Sequence, residues 1–343
     1  MNFPRFDEKT AEEQKHVDER LDEFYGEIGT KPVYTKELIK YNADQFAKLT
    51  VDNTTISLMD MHGNIHKGFS FVNWFAHPKT TAKLLLRFLT YLDIASIKDN
   101  MFYSPGMLDQ LAEARIPTYV LMHWDLEGGL NETELKQIEE SWTKSETHKK
   151  IQSTLQKNNN TGNIKKIVCF GMGTLEHVSA YPGTSPPDWN LGHSLVALDA
   201  AQALKAKNKT TKSVPIIFQD PFYTQKDRAY LEKIAKQRGF KIEFIDYPYG
   251  FLEVDEYTLV LAQDRPEVPS AQVLADLTAP FGGPAGIFCR TITPITTAKQ
   301  EMISRDDDPL HLVNRRCSSL VANMMEACTV DDWASTLYLK KTT

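Results

Sequence analysis

The spacing of apolar residues near the start of the chain predicts two helices. Apolar side chains recur at helical intervals from Val17 to Ile28, which places them on one face of an amphipathic helix. Pro32 ends this pattern, because proline cannot continue a helix. Thr35 is a good helix-capping residue, and it precedes a second helical pattern that runs to Phe46.

A hairpin, a buried helix and a short strand are predicted next. Residues 55–72 alternate between apolar and polar around His62-Gly63-Asn64, which is typical of a β-hairpin. The apolar stretch from Lys79 to Ala95 predicts a buried helix, and Thr118 to Met122 predicts a strand. We therefore expect residues 1–150 to form an N-terminal helical and hairpin region.

From residue 164 the pattern changes to short apolar runs separated by helical segments, which is typical of βα units on a parallel sheet. The predicted strands are Ile164 to Phe170, Val214 to Gln219, Lys241 to Ile245, Tyr257 to Ala262 and Ala285 to Cys289. The predicted helices between them are Leu191 to Lys205, Gln225 to Arg238 and Ser270 to Leu277. The predicted fold class is α/β: a Rossmann-like, mostly parallel sheet flanked by helices, with the N-terminal region as an extension. Residues 151–343 would form this Rossmann-like domain, and the chain after residue 296 would close it with helices.

Composition excludes several classes of protein. Of 343 residues, 41% are hydrophobic and 24% are charged, which is ordinary globular usage rather than that of a disordered chain. No apolar run is long enough to span a bilayer, so no membrane partner is expected. The four cysteines fit neither a zinc site nor a disulfide framework, and a cytoplasmic location is the simplest expectation. The net charge of −6 excludes a uniformly basic DNA-binding surface, and DNA is not an expected partner.

The residues that follow the predicted strands are candidates for a binding site, because ligands of open parallel sheets bind at the carboxyl ends of the strands. These exits are Gly171-Met172-Gly173-Thr174, Asp220-Pro221, Asp246-Tyr247, Gln263-Asp264 and Arg290. Their polar groups would converge on one edge of the sheet. This arrangement locates a site without identifying a reaction.

Two of these exits have both a functional and a structural interpretation. Gly171 and Gly173 allow a tight turn. The backbone amides of this turn would bind an anion or a carboxylate, or the turn would be purely structural. The third glycine of the dinucleotide fingerprint is missing, so NAD is not expected. Asp220 suits either ribose or substrate binding, or capping of the helix that begins near Thr224.

Acidic and proton-transferring residues complete the candidate site. Asp264 and Glu267 would bind a guanidinium or ammonium group, unless they are merely solvated. His177 and His193 could each move a proton or be structural, and Tyr223 would be a neighbouring hydroxyl donor. Cys169 is a possible nucleophile, although a cysteine within a strand is more often a small buried apolar residue. The histidines lack partners at a metal-ligand spacing, so no metal is expected.

Basic charge is concentrated in one segment. Residues 143–213 hold ten lysines and four acidic residues, a net charge of +6 against −12 for the rest of the chain. Such a segment can bind nucleic-acid phosphates or form a solvated face. The lysines chosen as tRNA contacts are Lys149, Lys150, Lys165, Lys166, Lys205 and Lys207.

Three segments resemble the Sensitivity-to-Red-Light-Reduced family of plants, animals and fungi. They are Ile167 to Gly173, Gln219 to Thr224 and Gly250 to Thr258. Val268-Pro269, Gly283 to Ala285 and Lys31 to Lys36 are similar to the longer fungal members. The resemblance implies two branches: regulators linked to circadian output and haem metabolism, and fungal arginine-containing cyclodipeptide synthases of secondary metabolism.

One motif departs from the synthase branch. The acidic D-D-x-x-E motif of those enzymes is not intact, because Asp331-Asp332 is followed by Ser335, and Gln263-Asp264 precedes Glu267.

The working hypothesis is a fungal, cytoplasmic aminoacyl transferase that uses no cofactor and makes a diketopiperazine from aminoacyl-tRNAs, with arginyl-tRNA as one partner. Gly171, Gly173, Thr174 and Asp220 would hold the aminoacyl ester and its ribose. Asp264 and Glu267 would bind the arginine side chain, and His177 or Tyr223 would relay the proton. The rival hypothesis is a noncatalytic regulatory or haem-binding protein with His177, His193 or Cys169 as an axial ligand.

Overall fold

A computed structural model describes most of the chain, and the statements below concern the described residues: 10–71, 83–96, 111, 114–123, 130–175, 187–208, 213–263, 269–301, 313–329 and 335–341. The chain forms two compact units. The first comprises Met1–Asp125, Arg265–Leu277 and Pro294–Ser318. The second comprises Leu126–Asp264, Thr278–Thr293 and Ser319–Thr343. Within the described ranges, no helix combines the length and the apolar composition needed to cross a membrane.

The first unit begins with the two helices that the apolar spacing predicts. Helix α1 (Ala11–Ile28) is capped by Thr10 and buries Val17, Leu21, Phe24 and Ile28, the apolar face expected from the sequence. Helix α2 (Lys36–Phe46) is capped by Thr35, whose hydroxyl accepts a hydrogen bond from the backbone N–H of Leu38. Both predicted helices are confirmed.

Two antiparallel strand pairs follow in the first unit. Strands β1 (Thr55–Met59) and β2 (Ile65–Ser70) form the predicted hairpin. The helix predicted between Lys79 and Ala95 is wrong: residues 83–88 form strand β3, which pairs with β4 (Thr118–His123), and helix α3 is only Tyr91–Ser96. A continuous apolar run does not distinguish a buried strand from a buried helix, and here the pairing with β4 determines the outcome.

A buried carboxylate joins distant segments of the first unit. Asp276 lies on helix α8 (Ser270–Thr278) and is 1% exposed. It accepts hydrogen bonds from the backbone N–H groups of Val33 and Tyr34 and from the hydroxyl of Tyr91. Arg316 neutralises it with an ion pair at 2.8 Å, so this buried charge is fully paired.

The second unit contains a seven-stranded, mostly parallel sheet in the order β10-β11-β9-β8-β5-β6-β7. Its strands are β5 (Lys166–Phe170), β6 (Ile216–Gln219), β7 (Ile242–Phe244), β8 (Thr258–Ala262), β9 (Gly286–Arg290), β10 (Met325–Thr329) and β11 (Ser335–Lys340). Its helices are α4 (Glu132–Lys144), α5 (Glu146–Lys157), α6 (Pro187–Asn208) and α7 (Gln225–Gln237), with short 3-10 helices at Asn159–Asn163, Tyr249–Glu253 and Ala279–Phe281. Helix α9 (Arg315–Met324) begins in the first unit and ends in the second. The predicted α/β class and the five predicted strands are confirmed.

The prediction that the chain after residue 296 is all helical is wrong. After α9 the chain forms β10 and β11, and β11 inserts antiparallel between β9 and β10. Residues of β11 such as Leu337, Tyr338 and Leu339 are all buried, because strands on both sides and layers on both faces cover them.

The strand order reverses at the centre of the sheet. From β5 the chain proceeds outward to β6 and β7, and then returns to the other side of β5 with β8 and β9. Open α/β sheets bind ligands at such a switch point, outside the carboxyl ends of the strands. The carboxyl ends of β5 and β8 therefore mark the expected position of a site.

Candidate functional site

A turn with two left-handed glycines follows β5. Gly171 has φ +67° and Gly173 has φ +81°, conformations that residues with a Cβ rarely adopt. A Cβ at Gly171 would overlap the backbone carbonyl oxygen of Gln263, at the exit of β8. The backbone N–H of Gly171 donates to the carbonyl oxygen of Gln219 at 3.3 Å. Glycine is therefore required where the exits of β5 and β8 meet.

Asp220 holds this turn in place. Its Oδ2 accepts the backbone N–H of Gly173 at 2.7 Å, and its Oδ1 accepts the backbone N–H of Phe222 at 2.8 Å. The helix after β6 is capped by Thr224, so capping that helix is not the role of Asp220. Each carboxylate oxygen can accept a second hydrogen bond, which keeps Asp220 available to a ligand hydroxyl.

Asp227 is a buried site residue that the analysis of strand exits missed. It accepts hydrogen bonds from the Thr174 hydroxyl, from the backbone N–H of Leu175 and from the backbone N–H of Thr224, at 2.7, 2.7 and 2.8 Å. Burial raises the pKa of its carboxyl above the ordinary value. The spacing Thr224-x-x-Asp227 is a capping box, and that signal was available in the sequence.

Asn190 and Tyr223 lie beside the turn. The side-chain amide of Asn190 donates to the carbonyl oxygen of Thr174 at 2.8 Å. Tyr223 is 7% exposed, and burial, together with the Asp220 carboxylate, raises the pKa of its hydroxyl well above the ordinary value. The Tyr223 hydroxyl therefore stays neutral and can donate a hydrogen bond, and it would give up its proton only to a strong base such as a departing alkoxide.

Two glutamines complete the edge. Gln219, the last residue of β6, accepts the backbone N–H of Gly250 through its Oε1 at 2.6 Å. The backbone N–H of Gln263 donates to the carbonyl oxygen of Phe170 at 3.0 Å, which extends the pairing of β5 and β8. Neither glutamine was among the predicted site residues.

Three candidate site residues, His177, Asp264 and Glu267, lie outside the described residues. Cys169 is fully buried within β5, and burial raises the pKa of its thiol well above the ordinary value, which fits the structural interpretation. His193 is 4% exposed within α6. Among the residues that the structure describes, no group of three or more His, Cys, Asp or Glu side chains could hold a metal ion.

Four of the chosen lysines lie toward the opposite edge of the sheet. Lys165 and Lys166 are at the amino end of β5, roughly 17 Å along the strand from the glycine turn at 3.3 Å per residue. Lys207 donates to the backbone oxygen of Asn158 and to the Thr161 hydroxyl, which brings the end of α6 to the same place. Lys205 lies near this end of α6.

The six lysines differ in their partners. Lys166 pairs with Asp255 at 2.9 Å, Lys149 pairs with Glu146 at 2.7 Å, and Lys165 lies 3.8 Å from the centre of the Tyr257 ring. Lys205 lies over the ring of Phe240 at 5.7 Å, and Lys150 is exposed on α5. The exposed Lys149, Lys150 and Lys165 are therefore the most accessible to phosphates.

One family model matches part of the chain. Residues 149–315 match the family model of the SRR1 domain, a range that contains β5 to β9 and the exits described above. The match supports an SRR1-like family for this part of the chain. Neither the comparison with curated proteins nor the comparison with solved structures found a match.

Proposed function

We propose that this chain, with its SRR1-like domain, is an enzyme that makes an arginine-containing cyclodipeptide from two aminoacyl-tRNAs. The site would be the carboxyl edge of the sheet around Gly171 to Thr174. The choice of reaction rests on the resemblance of Val268-Pro269, Gly283 to Ala285 and Lys31 to Lys36 to the longer fungal members of the family, which look like those synthases.

One observation carries the position of the site. The strand order reverses between β5 and β8, and at that point lie a turn without side-chain bulk at Gly171 and Gly173 and a carboxylate, Asp220, that is fixed by two backbone donors. Fixed polar groups at a switch point are what an enzyme needs to orient a substrate.

Each part of the site would have its own role in substrate binding or proton transfer. Asp220 would hold a ribose hydroxyl, and the turn with Thr174 would accommodate the aminoacyl ester. Asp264 and Glu267 would bind the arginine guanidinium, and the lysines at the amino edge would contact tRNA phosphates. His177 or Tyr223 would pass a proton to the departing ribose oxygen.

The chemistry balances without another reactant. The amine of one aminoacyl group attacks the ester carbon of the other, which forms an amide and releases one tRNA hydroxyl. The free amine of the transferred aminoacyl group then attacks the remaining ester, closes the ring and releases the second tRNA. Two ester bonds break and two amide bonds form, so the activated esters supply the driving force and the transfer itself needs neither ATP nor a metal.

The test is a product analysis. Purified protein is incubated with arginyl-tRNA and each other aminoacyl-tRNA, and the products are analysed by mass spectrometry. We expect an arginine-containing diketopiperazine, formed at least about tenfold more slowly by Asp220→Asn, since a fixed acceptor for the substrate is lost. Asp52→Asn, a change of the same kind at an exposed position of the first unit, is the matched control.

Two results would separate the proposal from its rival. If no partner amino acid gives a diketopiperazine, the chain is not a synthase. A Soret band on titration with haem would favour the regulatory protein. In this structure Cys169 and His193 are both buried, so neither is open to a haem as an axial ligand.

A further inference from the structure

Two buried polar atoms at the carboxyl edge have no hydrogen-bond partner among the described residues. They are Asn190 Oδ1 and Gln263 Nε2. Asn190 is 4% exposed, so water does not readily satisfy it. Buried polar groups are almost always paired in native proteins, and each unpaired group in a native structure calls for an explanation.

These atoms surround one turn although they come from different parts of the chain. Asn190 is bonded through its amide nitrogen to the carbonyl oxygen of Thr174. The backbone of Gln263 contacts Gly171. Asp220 adds a fixed carboxylate whose oxygens can each accept another hydrogen bond.

The chemical types of these groups define the complementary ligand. Asn190 Oδ1 and Asp220 need donors, and Gln263 Nε2 needs an acceptor. None of the three carries positive charge, so they complement hydroxyls and ring nitrogens rather than a phosphate, which binds where cations meet it. A sugar with a nitrogen-containing base presents this combination.

We propose that the carboxyl edge around the exits of β5, β6 and β8 binds a nucleoside. The order β7-β6-β5-β8-β9 is the order of the first five strands in dinucleotide-binding Rossmann folds, in which a carboxylate after the second strand holds the ribose. Asp220 occupies that position. This inference goes beyond the proposed function, because it requires neither tRNA nor a reaction.

The nucleoside has two possible sources: the terminal adenosine of tRNA or a free nucleoside cofactor. The antiparallel β11 between β9 and β10 gives the order found in Rossmann-like methyltransferases that bind S-adenosylmethionine. This likeness of fold guides the choice of probe and does not carry the inference. The probes are adenosine, S-adenosylhomocysteine, a hydrolysis-resistant 3′-arginylamino-adenosine and 2′,3′-dideoxyadenosine.

Binding of each probe to the full chain is measured by isothermal titration. We expect one nucleoside per chain, at least about tenfold weaker binding of 2′,3′-dideoxyadenosine than of adenosine, and a similar loss in Gln263→Glu, which replaces the donor with an acceptor. Gln237→Glu, on the exposed end of α7, is the matched control. The dideoxy comparison needs no variant, so it decides the matter even if Gln263→Glu does not fold.

The outcomes are distinct. Tight binding of S-adenosylhomocysteine supports a free cofactor, and preference for the arginyl analogue supports the tRNA terminus. Absence of binding by all probes, or equal binding of adenosine and its dideoxy form, overturns the proposal. A chain that binds a nucleoside but makes no diketopiperazine would contradict the proposed function and leave this inference intact.

Discussion

At the scale of single residues, the site depends on Gly171. Its left-handed backbone and the absence of a Cβ allow the exit of β5 to lie against the carbonyl oxygen of Gln263. Gly239, after α7, also has a positive φ, but a Cβ added at this position would have no atom within 4 Å. Alanine substitutions at the two glycines therefore separate the free-energy cost of the left-handed backbone from the cost of steric overlap.

We predict that Gly171→Ala lowers the free energy of unfolding by roughly 2–4 kcal/mol, since the added Cβ forces the two strand exits apart. Gly239→Ala should cost only about 1 kcal/mol, the conformational part alone. Urea unfolding of both variants measures the difference. Equal losses would mean that the overlap with Gln263 is relieved without strain.

The residue types along the chain predicted the glycine turn and the polar strand exits, but not the hydrogen bonds between them. Gly171, Gly173 and Asp220 stand directly after apolar strands, and this position is visible in the sequence. That Asp220 accepts the N–H of Gly173, 47 residues away, depends on the pairing of β5 with β6. Asp227 was missed because its partner Thr174 becomes a neighbour only after folding.

At the scale of elements, one carboxylate joins the helices on one side of the second unit's sheet. Asp199 of α6 is fully buried and accepts hydrogen bonds from Trp142 Nε1 of α4, His148 Nδ1 of α5 and Arg238 Nη1 after α7, at 2.6, 2.7 and 2.9 Å. A single side chain thus fixes the mutual positions of four helices.

We predict that Asp199→Asn lowers the free energy of unfolding by about 3 kcal/mol, since it leaves Arg238 without its buried partner. Glu140→Gln, an exposed change of the same type on α4, should alter it by less than about 0.5 kcal/mol. Denaturant titration checks both. A loss below about 1 kcal/mol for Asp199→Asn would show that Glu139, which also pairs with Arg238, is sufficient.

The type of an element was predictable from the sequence where only one of its faces is buried. It was less predictable in continuous apolar runs. Helix α1 exposes one face, and its apolar period is therefore clear. Residues 83–88 and 335–340 are runs whose partners are distant strands, β4 and β9. Periodicity within such a run carries no information about that pairing, so the first was predicted as a helix and the second was placed in a helical segment.

At the scale of the whole molecule, basic charge and the glycine turn occupy different edges of the second unit's sheet. Lys165 precedes β5 and Lys166 is its first residue, whereas Gly171 follows the strand. A tRNA bound by the lysines would have to extend along the sheet to place its aminoacyl end at the turn.

We predict that Lys150→Glu combined with Lys165→Glu weakens tRNA binding and lowers the slope of log K against log salt by about 2, roughly one for each lost phosphate contact. Lys48→Glu combined with Lys67→Glu, exposed lysines of the first unit, makes the same change in net charge and should leave the slope unchanged. Filter binding between 50 and 200 mM salt, a range in which such slopes are resolved, checks both. Equal slopes in all proteins would remove tRNA phosphates as the partner of these lysines.

The place of β11 in the sheet has a consequence for synthesis on the ribosome. In the described part of the sheet, β10 pairs with β11 and β11 separates it from β9, although β10 is made first. Until residues 335–340 leave the exit tunnel, β10 has no neighbour and the edge of β9 stays open. The nascent chain therefore holds two unprotected strand edges until β11 emerges, and during this interval a chaperone has most to protect.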